Sequence, residues 1–188
     1  MKHKIILLIM LLFLGFGSSN AQYGPVVSFT YDDGDETWPA LFNVFQEYGF
    51  PGVVYINATD SWVIAPGTLD KLHEMQAAGW EISNHTYSHD CSYGESQVST
   101  MKNWLDANGF PNSGFGAPCN IWDHNRVNFV KKHSPYITTA TELPGMSQPF
   151  DLYFIQRINL TNRDNIQTIR GYLDDAVANN KWIVFLAH

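Results

Sequence analysis

The sequence predicts an α/β fold: a closed or nearly closed barrel of about seven parallel strands, with an open doubly wound sheet as the alternative. Three observations carry that reading. Beyond residue 22, short β-rich runs alternate with amphipathic segments, as a parallel sheet with helical crossovers requires. The strands number about seven, more than a small open sheet of this length usually holds. Polar residues able to do chemistry also fall just after several of these runs, where a β/α barrel gathers its loops into one mouth.

The elements follow in order. Residues 26–30 (VVSFT) read as the first strand. Residues 36–49 (ETWPALFNVFQEYG) place apolar side chains at helical spacing up to a stop at Gly49. Residues 52–56 (GVVYI) are the second strand, and 67–79 (GTLDKLHEMQAAG) the next helix, again closing on a glycine. Residues 80–85 (WEISNH) lead into a helix over 95–109, and 114–118 (GFGAP) into a helix within 123–133. Residues 136–140 (YITTA) and 152–160 (LYFIQRINL) are two strands with no convincing helix between them. A last helix within 162–180 delivers the chain to the strand of residues 181–188 (KWIVFLAH).

At 188 residues, 45% of them hydrophobic, the chain can bury one sizeable core but not two. Its net charge of -7, with no basic stripe, argues against a nucleic-acid partner. Lys2 and Lys4 precede an apolar run over 5–16 and small residues up to Ala21, the layout of a secretory signal peptide. The run falls short of the roughly 20 residues that a spanning helix needs. Residues 1–21 are therefore expected to be removed, leaving one domain over 22–188 in the periplasm, at the cell surface or outside the cell, with no stable membrane span. Export makes Cys91 and Cys119 candidates for a disulfide. Two cysteines make no framework, and two free thiols are the default.

Asp32 and Asp33 follow the first strand, His85 and His89 the third, APCN (117–120) begins as the fourth ends, and His188 ends the last. Two imidazoles four positions apart with one carboxylate form a common three-ligand zinc set that leaves a position open. An H-x3-H pair also arises by chance in a chain with seven histidines. Alone, the aspartate pair is a solvated turn and His188 a structural histidine. Their common position at strand ends favours the metal reading.

At these residues the chain resembles the polysaccharide deacetylase family (NodB-homology domain, carbohydrate esterase family 4). TYDDG (30–34) matches its T-F-D-D-G, HTYSH (85–89) its histidine motif, and FLAH (185–188) its closing strand end. The resemblance covers residues 26–188 and implies a distorted (β/α) barrel that removes N- or O-acetyl groups from glycans with a divalent metal. It also implies roles for individual residues. Asp33, His85 and His89 would hold the metal, most simply Zn2+, with Co2+, Ni2+ or Mn2+ as alternatives. Asp32 would be the general base toward the attacking water and His188 the general acid. The backbone N–H of Cys119 would help to hold the oxyanion.

The chain departs from the family in its arginine motif. R-x-P-Y reads GAPC here, with Gly116 in place of the arginine that commonly orients the base. Arg157 on the sixth strand is the candidate substitute, with a surface arginine as the other reading. Pro118 and Trp122 are candidate substrate-side residues; core packing is the default for Trp122, as for Trp38, Trp62 and Tyr93. A disulfide between Cys91 and Cys119 would clamp two rim loops. The family's tryptophan-bearing motif is not recognisable, and the end of the chain directly after His188 leads us to expect a domain continuing beyond it. Two other functions stay open: a carbohydrate-binding relative that lost turnover with the arginine, and a metal-dependent amidase acting on a non-glycan substrate.

Overall fold

The computed structural model describes residues 24–188 except 35–36, 61, 112, 141–144 and 162–163. The expected signal peptide lies outside the described residues. Seven parallel strands close into a barrel in chain order. β1 (Val26–Tyr31) leads through α1 (Trp38–Tyr48) to β2 (Val53–Ile56), and through α2 (Thr68–Ala77) to β3 (Glu81–Asn84). α3 (Glu95–Ala107) precedes β4 (Phe115–Gly116), a 3-10 turn (Pro118–Asn120) and α4 (His124–Val130). β5 (Ile137–Ala140), β6 (Ile155–Asn159), α5 (Ile166–Asn179) and β7 (Trp182–Ala187) complete the chain.

Closure decides against the open sheet. β7 pairs with β1 along its whole length, from Val26 opposite Trp182 to Tyr31 opposite Ala187. β4 is the shortest strand because Pro118 has no N–H to continue the ladder after Ala117 donates to the Thr138 carbonyl at 3.0 Å. No helix joins β5 to β6 among the described residues. That link instead pairs Met146 with Trp182, at 2.8 and 2.9 Å.

The helices pack their apolar stripes on the outside of the barrel. α1 has Pro39 in its first turn, where the missing N–H costs nothing, and ends on Gly49 at φ 70. It buries Trp38 and Phe42, which join Trp80, Leu72, Met75 and Met101 in the largest core cluster. Asp123 caps α4 by accepting from the Arg126 N–H at 2.9 Å, and Asn165 caps α5 by accepting from Thr168 at the same distance. Among the described residues no helix is long and apolar enough to cross a membrane.

The inside of the barrel is polar. Thr30, Tyr55, Glu81, Tyr136 and Thr138 share a half-open cavity of about 290 Å3 with apolar residues such as Val53, Ile155 and Val184, and Arg157 is wholly buried, donating to Thr30 at 3.3 Å. Such groups are tolerated in a core only when they bond to one another, and those bonds connect the barrel interior to its mouth.

Candidate active site

β1 delivers two adjacent carboxylates to one place. Along a strand, neighbouring side chains face opposite ways, so Asp32 and Asp33 would diverge if β1 ran on. It does not run on. Asp32 still donates its N–H to the Ala187 carbonyl at 3.1 Å, and Asp33 then turns into the left-handed region at φ 72. The turn brings both acids to the same imidazole: His85 Nε2 lies 3.9 Å from Asp32 Oδ2 and 3.2 Å from Asp33 Oδ1. Gly34 must follow because its φ is +86 and a Cβ there would lie 2.8 Å from the Trp38 ring.

β3 ends in a second shaped loop. Asn84 holds it with two bonds, its Oδ1 accepting from the Thr86 N–H and its Nδ2 donating to the Val98 carbonyl, both at 2.9 Å. Thr86 and His89 are left-handed, as are Cys119 and Asn120 after β4. With Asp33, these are five of the six non-glycine residues of that kind among those described. Backbone in this region is strained by about 1–3 kcal/mol per residue, and such strain collects where geometry serves function.

His85 is buried, and its Nδ1 lies 2.8 Å from the Gly116 carbonyl. A carbonyl only accepts, so Nδ1 carries a hydrogen, and Nε2 is the nitrogen turned toward Asp33. His89 Nε2 approaches the same Asp33 Oδ1 at 3.0 Å. That oxygen is buried and makes no hydrogen bond of its own. The three ligand atoms lie within 4.8 Å of one another. An unbonded buried carboxylate oxygen facing two imidazole nitrogens fits a divalent cation, and the N2O donor set suits zinc. The His85 imidazole, within hydrogen-bonding reach, holds the Asp33 carboxyl below the usual carboxylate range despite partial burial, with the charges of His89 and His188 adding to the effect.

Arg157 meets Asp32 from β6. Nη1 donates to Oδ1 at 2.6 Å and Nη2 to Oδ2 at 2.9 Å, inside the barrel. Burial opposes the guanidinium charge, and the Asp32 carboxylate more than offsets this, so the Arg157 pKa is held above its ordinary value. The surface reading of Arg157 is thereby excluded. His188 is exposed just past the Ala187 carbonyl that receives the Asp32 N–H, close enough for its charge to act on Asp33.

Other expected residues lie around this mouth. Cys119 and Cys91 are joined in a disulfide, Cα to Cα 5.6 Å, which corrects the default of two free thiols. The loops after β3 and β4 are neighbours because those strands pair, at Asn84 and Phe115. Pro118 is buried at the start of the 3-10 turn. Trp122 is half-buried, donating from Nε1 to the Tyr153 carbonyl at 2.8 Å, with its ring against Phe154. Trp38 and Tyr93 are core residues. Sequence reading passed over Asn57, whose Nδ2 donates to the Asp33 carbonyl at 3.3 Å, and Asn84. A polar side chain at the end of an apolar run was the available signal for both.

The fold is shared with solved deacetylases. A Streptococcus pyogenes deacetylase solved with acetate aligns at TM-score 0.67 and 18% identity, over 78% of this chain and 70% of that one. A chitin deacetylase from the fungal pathogen Colletotrichum lindemuthianum aligns at 0.59 and 17%, over 86% and 85%. A family 4 carbohydrate esterase from Streptomyces lividans, also with acetate, aligns at 0.56 and 15%, over 87% and 79%. Residues 19–109 match the family described as Polysaccharide deacetylase. Over that stretch the chain is similar to the polysaccharide deacetylase family. No curated protein matches the sequence closely enough to add to this. Where the family's motif carries an arginine this chain has Gly116, and a guanidinium from β6 meets Asp32 instead.

Proposed function

We propose that the protein is an exported, metal-dependent deacetylase that hydrolyses acetyl groups on a polysaccharide or oligosaccharide. One observation carries the reading: the buried, unbonded Oδ1 of Asp33 facing the Nε2 atoms of His85 and His89, one residue from an Asp32 fixed by Arg157. The family match over residues 19–109 supports the reaction class.

Asp33, His85 and His89 would hold the cation, with Zn2+ favoured and Co2+, Ni2+ or Mn2+ as alternatives. When bound, it supplies a Lewis acid for the acetyl carbonyl and lowers the pKa of water nearby. Asp32 takes the proton of the attacking water. Arg157 bonds to both oxygens of Asp32 and fixes the plane of its carboxylate. The Cys119 N–H donates to the oxygen that gains charge as the carbonyl becomes tetrahedral. His188 gives a proton to the departing amine or alcohol. The binding-only alternative assumed that Asp32 had lost its arginine, and Arg157 removes that premise.

The test is acetate release by zinc-loaded protein from chitin oligomers, peptidoglycan, poly-N-acetylglucosamine and acetylxylan. Release from at least one glycan is expected, lost in Asp32→Asn with metal content unchanged. Silence on every glycan, with metal bound, would reject the deacetylase reading. For export, the secreted protein should begin at Gln22; an N-terminus retaining the apolar run would overturn cleavage.

A further inference from the structure

We propose that Tyr55 is a positioning residue for Asp32: its ring supports the Arg157 guanidinium, and its presence is what requires glycine at 116. The effect on turnover rests on the deacetylase reading above; the placement does not.

Tyr55 is fully buried on β2 with its side chain in the barrel interior. The Arg157 guanidinium carbon lies 5.2 Å from the centroid of its ring, within the range where a cation is drawn to an aromatic face. Arg157 commits Nη1 and Nη2 to Asp32 and shares Nη1 with Thr30, while its buried Nε–H has no hydrogen-bond partner. The two bonds to Asp32 set the guanidinium within its own plane, and the Tyr55 ring limits how that plane can tilt.

The ring itself is held at both ends. Its hydroxyl donates to Tyr136 at 3.3 Å, Tyr136 donates to Glu81 at 2.7 Å, and Glu81 also accepts the Gly114 N–H at 2.8 Å. Near its root the ring lies against Gly116, where an added Cβ would fall 2.6 Å from the Tyr55 Cγ. Any side chain at 116 therefore competes with the ring for the same space. With the ring in that space, the guanidinium that holds Asp32 comes from β6.

The experiment combines a double-mutant cycle with kinetics. Gly116→Ala is expected to lower Tm in the wild-type background and to cost little in Tyr55→Leu, where the ring is gone. In ¹H–¹⁵N spectra of ¹⁵N-labelled protein, the Arg157 Nε–H signal, shifted by the ring, should move in Tyr55→Leu and stay in Tyr55→Phe. In acetate release, Tyr55→Leu should lower kcat about tenfold with KM and zinc affinity unchanged, and Tyr55→Phe, which keeps the ring, should restore most of it. An additive Gly116→Ala penalty, or wild-type kcat in Tyr55→Leu, would overturn the proposal. Should Tyr55→Leu fail to fold, Tyr55→Met, which fills similar space without a ring, decides by the same kcat and Arg157 readouts. If the wild type releases no acetate, the deacetylase reading falls, and the Tm cycle with the Arg157 signal still decides the role of Tyr55.

Discussion

Arg157 and Asp32 form a two-pronged ion pair inside the barrel, Nη1 to Oδ1 at 2.6 Å and Nη2 to Oδ2 at 2.9 Å. Neither side chain is appreciably exposed. Removing one partner strands a buried charge, which costs about 3–5 kcal/mol, whereas replacing both with apolar groups is often neutral. Arg157→Met should therefore lower Tm by about 10 °C or more, and adding Asp32→Leu should recover most of that loss. Neither protein should release acetate. Thermal denaturation followed by circular dichroism checks the first part. Arg157→Met at wild-type Tm would mean that the pair contributes nothing to the fold.

The adjacent aspartates should separate by function in a metal titration. A ligand present at about 100 times its Kd stabilises the native state by about 2.7 kcal/mol, so Zn2+ should raise the Tm of the chelator-treated protein by roughly 5–10 °C. Asp33→Asn and His89→Ala should abolish that rise. Asp32→Asn should keep it while lowering turnover about 10²–10⁴-fold. A rise that survives Asp33→Asn would remove Asp33 from the ligand set.

Much of this architecture was legible in the sequence, for a local reason. Each strand is a short apolar run closed by turn residues, and each helix has a capping or stopping residue beside it, so neighbours along the chain define the elements. Asp33, His85 and His89 were readable for the same reason, since TYDDG and HTYSH are contiguous. Long-range pairing was not. Arg157 is 125 positions from Asp32, and nothing near it distinguished a buried guanidinium from a surface one. Nothing in the sequence singled out Tyr55, because an aromatic in a strand is ordinarily core. The cysteines were left free by default because their meeting depends on β3 and β4 being neighbours, which is a property of the closed sheet.

Acid should weaken the metal-free protein in part through Asp33. Its folded pKa lies below the ordinary carboxylate value because His85, then His89 and His188, favour the ionised form. A depressed folded pKa stabilises the native state above the unfolded value, and that contribution is lost as pH falls through the folded value. The Tm difference between wild type and Asp33→Asn, measured in chelator, should therefore shrink as pH falls below the ordinary carboxylate value of about 3.8. A difference that grows with acid would reverse the sign assigned to this carboxylate.

The disulfide should serve both stability and metal binding. Cys91 and Cys119 are separated by 28 positions, and closing a loop of that size in the unfolded chain is worth about 3–4 kcal/mol by chain entropy. The bond also ties two shaped segments together: Cys91 lies two residues beyond His89, and both His89 and Cys119 have left-handed backbones that neighbouring structure must hold. Cys91→Ser combined with Cys119→Ser should lower Tm by about 10 °C. It should also weaken zinc binding about tenfold, as loss of groups supporting a ligand commonly does. Alkylation of the native protein without reductant should modify neither cysteine, and full alkylation would show that the bond is not formed. Unchanged zinc affinity in the double variant would confine the disulfide to stability and leave the orientation of His89 to Asn84 and the loop itself.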